Sequence, residues 1–113
     1  MNTDQLRAFC LAMPGCAEEI KWDDHLCFTI GGKMFCVSGP DGTFTIKLTA
    51  EEFDLRTEQQ GITPAAYMAR NKWVTISQNA TLKRVVAEQL ITLSYRLVSN
   101  GLPRKIKREL NIN

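Results

Sequence analysis

Apolar residues recur at helical spacing in two long parts of the chain. Residues 6–13 carry an apolar stripe with a period close to 3.6, and Thr3 or Asp4 can cap this first helix. A longer stripe runs over residues 82–98, with Thr81 as its candidate cap. Shorter helical segments are predicted for residues 49–59, 63–68 and 104–110.

Two local motifs support the shorter helices. Thr49 and Glu52 have the spacing of a capping box, in which each side chain accepts a hydrogen bond from the other residue's backbone amide. Pro64 occupies a position that a helix tolerates in its first turn, because that amide has no intrahelical partner. Both motifs predict where a helix begins.

Between the first helix and residue 48 the apolar period changes to two. Residues 26–30 and 33–37 alternate on either side of Gly31-Gly32, which predicts a β-hairpin because glycine adopts the positive φ of a tight turn. Residues 43–48 and 72–77 read as further strands, and residues 17–22 can add a short edge strand.

The order of these elements predicts the fold class. Strands are grouped together and helices flank them, which favours an α+β fold with an antiparallel sheet of four to five strands and helices packed on it. A parallel Rossmann-type sheet is excluded, because the first half lacks the crossover helices that parallel strands need. We expect a single domain over residues 1–113.

The charge is unevenly distributed along the chain. The net charge is only +2, but residues 1–69 carry 5 Lys/Arg and 10 Asp/Glu, whereas residues 70–113 carry 9 Lys/Arg and 2 Asp/Glu. The second part is therefore strongly basic, which favours a polyanionic partner.

Cysteine usage and the amino terminus indicate a reducing compartment. The terminus MNTDQLRAFC has no basic run followed by an apolar stretch, and no apolar run is long enough to cross a bilayer. We therefore expect a cytoplasmic protein without membrane contact. The 4 cysteines form no Cys-x-x-Cys pair, and His25 is the single histidine, so we expect reduced structural thiols, no metal site and no cofactor.

Motifs for catalysis are weak. Asp24-His25 suggests a base, but no nucleophile motif accompanies it. Gly31-Gly32-Lys33 lacks the spacing of a phosphate-binding loop and is better explained as a hairpin turn. We therefore do not expect an enzyme, and we assign no catalytic residue.

Basic residues provide the stronger functional signal. Arg70, Lys72 and Trp73 combine two cations with an indole, which suits phosphate contact and base stacking. The alternative is that Trp73 is a core residue of the predicted strand. Lys83 and Arg84 open the long helix, where they oppose its dipole. The tail adds Arg104 and Lys105.

The sequence as a whole resembles the MmcQ/YjbR family of small bacterial proteins. Short matching segments occur in order over residues 6–107. They are Met13-Pro14-Gly15 with Glu18-Glu19 and Trp22, Phe28 to Lys33 with Phe35, Ile46-Lys47-Leu48, Gly61 to Ala65 with Tyr67, Trp73-Val74, Ser94-Tyr95 and Leu102-Pro103.

The resemblance implies a CyaY-like α+β fold and a DNA-binding role through a "double wing" of β-hairpins. It places the wing contacts on Lys33 and Lys47, and on the Arg70, Lys72 and Trp73 segment. Together with the charge pattern, it makes low-specificity binding of double-stranded DNA the leading hypothesis. The full candidate set is Lys33, Lys47, Arg70, Lys72, Trp73, Lys83, Arg84, Arg104 and Lys105.

Two alternatives stay open at this stage. One is a protein-interaction or adaptor module that uses an exposed face of the sheet. The other is a metal-binding protein that uses an acidic ridge of Glu18, Glu19, Asp23 and Asp24, as in frataxin-like domains. A monomer is expected over an oligomer.

Overall fold

The structure is a computed structural model that describes residues 1–22, 24–39, 41–66 and 68–112. Asp23, Pro40, Tyr67 and Asn113 lie outside the described residues. The helices are α1 (Thr3–Leu11), α2 (Ala50–Arg56), α3 (Arg84–Asn100) and α4 (Arg104–Glu109), with a short 3₁₀ helix at Ala69–Asn71. The strands are β1 (Cys16–Lys21), β2 (His25–Ile30), β3 (Lys33–Ser38), β4 (Phe44–Lys47), β5 (Ile62–Pro64) and β6 (Trp73–Ile76).

All strands join one antiparallel sheet in the order β1-β2-β3-β4-β6-β5. The α+β class is confirmed, but the prediction of four to five strands was too low, since the sheet has six. The additional strand is β5, whose Thr63 and Pro64 were predicted to begin a helical turn. Pro64 fits here because β5 is an edge strand, where the missing amide donor is tolerated.

The capping residues of α1 and α2 agree only in part with the predicted ones. Asn2, not Thr3 or Asp4, caps α1, accepting from the Gln5 amide at 2.8 Å. Thr49 caps α2 as predicted, accepting from the Glu52 amide at 3.1 Å. The Glu52 carboxylate does not return that contact; it accepts from Arg56 Nε at 3.0 Å.

The end of α2 and the start of α3 also differ from the predicted positions. Helix α2 ends at Arg56, three residues before the predicted Gln59. Helix α3 begins at Arg84, with Lys83 as its N-cap residue, so Thr81 does not cap it. Arg84 lies in the first turn of α3, where its charge opposes the dipole, and its Nε lies 3.4 Å from Glu88 Oε2.

The hydrophobic core lies between the sheet and the two longer helices. Leu6 and Cys10 of α1 and Leu90 and Ile91 of α3 are buried against strand residues such as Phe28. Their apolar stripes cover one face of the sheet, as the helical spacing predicts.

The β2–β3 hairpin is held by packing at its tip. Gly31 and Gly32 have φ of 59° and 80°, as the glycine turn predicts. A Cβ atom on Gly31 would lie 2.8 Å from Leu102 Cδ1 and 3.1 Å from Ile106 Cγ2. The tip therefore packs closely against the connection from α3 to α4.

Candidate nucleic-acid interface

A depression of about 620 Å³ lies where the β2–β3 hairpin extends beyond β4. The hairpin, the end of β4, the start of β6 and the end of α3 surround it. Its lining includes three lysines and several apolar or amide side chains, and we call this surface the basic depression: Lys21, Lys33, Lys47, Met34, Met68, Asn71 and Trp73.

The three lysines are held in different ways. Lys47 Nζ donates to the Asn71 carbonyl oxygen at 2.7 Å, which fixes the side chain and leaves its charge uncompensated by that contact. Lys21 Nζ lies 3.3 Å from Glu19 Oε1. Lys33 is exposed at the hairpin tip, and among the described residues no carboxylate lies within ion-pair distance of it. The lining thus contributes three positive charges, of which only that of Lys21 has a carboxylate partner among the described residues.

Ser94, on α3, holds the backbone at Lys47, where β4 ends at the basic depression. The Ser94 hydroxyl accepts from the Lys47 amide at 2.9 Å and donates to the Phe35 carbonyl at 2.6 Å. These groups lie just beyond the last paired residues of β3 and β4, Cys36 and Ile46. The Ser94 hydroxyl therefore takes the place of the next backbone hydrogen bonding between β3 and β4, and it connects both strands to α3.

Trp73 lines the depression but is not available for stacking. Only 9% of its surface is exposed, and it pairs with Lys47 across β4 and β6. An indole that stacks on a base must present its ring face. The burial of Trp73 therefore does not fit base stacking and agrees with the alternative that Trp73 is a core residue, packed next to Lys47.

Four further candidate cations are chain neighbours of the lining. Arg70 and Lys72 flank Asn71, and Arg70 is exposed. Arg104 and Lys105 follow the lining residue Leu102 by two and three residues and are exposed. Lys72 has φ of 67°, and its Nζ lies 5.1 Å from the centroid of the Phe53 ring, a cation–π contact.

Lys83 and Arg84 lie away from the basic depression. They stand at the start of α3, whereas Val98, near the end of α3, lines the depression. At a rise of 1.5 Å per residue, Arg84 and Val98 are about 21 Å apart along the helix axis. The structure therefore does not bring these two candidates together with the others.

Lys21, Met34, Met68 and Asn71 also line the depression, and none of them was predicted as a site residue. Lys21 lies within the predicted edge strand, so its place in the sheet was predictable. Met34 lies in β3, opposite the β-bulge between Phe28 and Thr29, and Met68 and Asn71 belong to the 3₁₀ helix and its cap; alternation alone locates none of these three.

The acidic ridge does not form a cluster of free carboxylates. Glu18 accepts from Arg7 Nε at 2.8 Å, and this pairing with Arg7 lowers the pKa of Glu18. Glu19 is paired with Lys21, and Asp24 contacts His25 Nδ1 at 2.9 Å. Asp23 lies outside the described residues, and across the remainder no group of three metal-ligating side chains is present.

The cysteines behave as small apolar residues. All four thiols are free; Cys10, Cys27 and Cys36 are buried, and Cys16 is partly buried. Burial raises the pKa of Cys16 to about 12 and also raises the pKa of Cys27 and of Cys36. A neutral thiol is a poor nucleophile, so the raised pKa values of Cys16, Cys27 and Cys36 do not favour a nucleophilic role for these three thiols.

Comparison with known families matches the YjbR family profile to residues 11–97. The chain belongs to the YjbR family. A search of curated proteins found no match.

Two solved structures share this YjbR fold. A Deinococcus radiodurans protein with a DUF419 domain has 24% sequence identity and a TM-score of 0.88, over 99% of this chain and 89% of its own. A Pseudomonas syringae protein has 21% identity and a TM-score of 0.71, over 86% of this chain and 98% of its own. At these identities the likeness concerns the fold. Among the described residues, no helix has the length and apolar character needed to span a membrane.

Proposed function

We propose that this YjbR protein binds the phosphate backbone of double-stranded DNA with its basic depression, with low sequence specificity. The observation that carries the proposal is that Lys21, Lys33 and Lys47 all line one open depression. These lysines come from three separate strand ends, yet the fold presents their side chains together.

The chemistry of the lining favours phosphate over base contacts. Lysine ammonium groups bind phosphate oxygens as point charges, and such contacts position a protein on DNA without reading its sequence. The aromatic ring of Trp73 is buried, so it offers no platform for an unstacked base. This combination supports a duplex ligand over a single strand.

The flanking cations extend the same surface. Arg70 directly precedes the lining residue Asn71, and Arg104 and Lys105 follow the lining residue Leu102 by two and three residues. The Lys33 hairpin projects beyond β4 as a wing would. A duplex seated on the depression would therefore meet the hairpin tip and the start of α4 together, because the tip packs against the α3–α4 connection.

The test is the salt dependence of binding to a fluorescently labelled duplex, measured by anisotropy. Each phosphate contact contributes about 0.9 to the slope of log affinity against log salt. The double variant Lys33→Ala/Lys47→Ala should reduce that slope by about 1.8, because it removes two contacts.

A matched control separates a local site from the overall charge. Lys83→Ala/Arg84→Ala removes the same two charges from the distant end of α3 and should leave the slope within about 0.5 of the unmodified protein. Absence of binding at low salt would refute the proposal. Equal losses in the two double variants would refute the assignment to the basic depression.

A further inference from the structure

The DNA proposal leaves the backbone of the outer edge of β1 unused, although Lys21 of this strand also lines the basic depression. Among the described residues, β1 pairs only with β2, so one side of a six-residue strand has no partner strand. The opposite edge, β5, has three residues and includes Pro64, which protects an edge from further pairing. The two edges therefore differ in their capacity to accept another strand.

Exposed apolar side chains are concentrated at this edge. Ile20 is 70% exposed and Trp22 is 63% exposed, and they lie two residues apart. The other large exposed apolar residues of the described chain, Leu55 and Val85, lie on separate helices. An unpaired edge that also exposes large apolar side chains is a template for strand addition.

We propose that the β1 edge pairs antiparallel with the β1 edge of a second copy of this chain, with Ile20 at the two-fold axis. In such a pairing, the residue before the centre lies opposite the residue after the centre in the other copy, on the same face of the sheet. Glu19 therefore lies opposite Lys21 of the second copy, and Lys21 lies opposite its Glu19.

The charges of β1 select this register. Glu19 and Lys21 lie on one face of the strand, as their 3.3 Å intrastrand ion pair shows, so both can reach the facing strand. A centre at Glu18, Glu19 or Lys21 would instead place like charges opposite each other, which destabilises a strand pair. A centre at Ala17 would leave Ile20 outside the pairing. A centre at Cys16 would also leave Ile20 outside it. Among the six residues of β1, only the centre at Ile20 joins opposite charges and buries the exposed isoleucines together.

The resulting dimer is weak, because a short edge contact buries little surface. We expect a Kd of roughly 0.1–1 mM, at the low end of specific protein contacts. Pairing about the two-fold axis at Ile20 would join the sheets of the two copies into one continuous sheet. The dimer would carry two basic depressions. The dimer does not depend on DNA binding, and its failure would leave the DNA proposal standing.

The experiment is a charge-reversal cycle measured by sedimentation equilibrium without DNA. Glu19→Lys alone places lysine opposite lysine, and Lys21→Glu alone places glutamate opposite glutamate, so each should raise the Kd about tenfold or more. The double variant Glu19→Lys/Lys21→Glu restores opposite charges and should dimerise like the unmodified protein. Both substituted positions are exposed, and circular dichroism checks that each variant folds.

Mixing the two single variants provides a second and independent readout. In a mixed pair, each of the two facing lysines of the Glu19→Lys strand lies opposite a glutamate of the Lys21→Glu strand. The mixture should therefore form heterodimers where each variant alone stays monomeric. Val85→Lys, which changes an exposed apolar residue on α3, should leave the dimer unchanged.

Three results would overturn the inference. The unmodified protein could remain monomeric up to about 1 mM, beyond the range expected for a specific edge contact. The single charge reversals could dimerise as tightly as the unmodified chain, which would place the contact elsewhere. The double variant and the mixture could both fail to associate, which would remove the proposed register.

Discussion

Single side chains replace missing backbone pairing in this fold, and Ser94 is the main example. Its hydroxyl is buried and satisfies both the Lys47 amide and the Phe35 carbonyl where the β3–β4 ladder stops. A serine in the middle of a helix normally has a neutral to unfavourable effect on stability. Here the hydroxyl is needed because the strand ends would otherwise be buried without partners.

Ser94→Ala should lower the free energy of unfolding by about 1–3 kcal/mol, since it leaves a part-buried amide and a buried carbonyl unpaired. The measurement is urea unfolding followed by circular dichroism. Ser99→Ala is the matched control, because Ser99 is also buried on α3 but bonds only to the Arg96 carbonyl of its own helix, at 3.3 Å. Equal effects of the two substitutions would contradict the bridging role of Ser94.

The helix caps show which single-residue predictions are reliable. The Thr49 cap was predictable, because a cap depends on the amides of the next three residues. The Asn2 cap was missed because Thr3 and Asp4 are equally good capping residues, and only the backbone conformation of Asn2 selects among them.

At the scale of elements, the β2–β3 hairpin and the α3–α4 connection depend on each other. Gly31 lies against Leu102 and Ile106, whereas nothing lies within 4 Å of a Cβ atom built on Gly32. Both glycines have positive φ, so alanine at either position carries similar backbone strain. The two positions differ mainly in packing.

Gly31→Ala should therefore lower the free energy of unfolding by about 1–3 kcal/mol more than Gly32→Ala, because the added methyl overpacks the contact with α4. Urea unfolding of both variants provides the comparison. If Gly32→Ala is as damaging as Gly31→Ala, the tip is not packed against α4 in solution.

For the whole molecule, the buried thiols make stability depend on alkaline pH. The pKa of Cys16 is raised by burial from 9.0 to about 12, and burial also raises those of Cys27 and Cys36. Well below pH 9.0 these three thiols are neutral in both the folded and the unfolded chain. Above it the unfolded chain ionises first, so the unfolded state is favoured increasingly as the pH rises.

We expect the urea midpoint to fall as the pH is raised from 9.0 towards about 12. Cys16→Ser removes one ionising thiol and should make that fall shallower, whatever its effect on stability at neutral pH. The measurement is a series of urea titrations across this range for both proteins. An equally steep fall in Cys16→Ser would show that other groups, such as lysines, dominate the alkaline transition.

Much of the fold follows from local sequence patterns. The β2–β3 hairpin was predictable because alternation and two glycines act over a few residues. Strand β5 was not, because Pro64 is acceptable both in the first turn of a helix and on a sheet edge. The partner strand β6 decides between them, and it is separated from β5 in the sequence by the 3₁₀ helix.

The candidate site depends on tertiary structure to a greater extent. Residue patterns were enough to predict the α+β class, the family resemblance and the excess of cations in the second part of the chain. Packing was needed to find that Lys33 and Lys47 line one depression with Lys21, that Trp73 is buried next to Lys47, and that Lys83 and Arg84 lie elsewhere. The reason is physical: secondary structure depends on neighbours along the chain, whereas a binding surface depends on which strand ends and helix ends the packed core brings together.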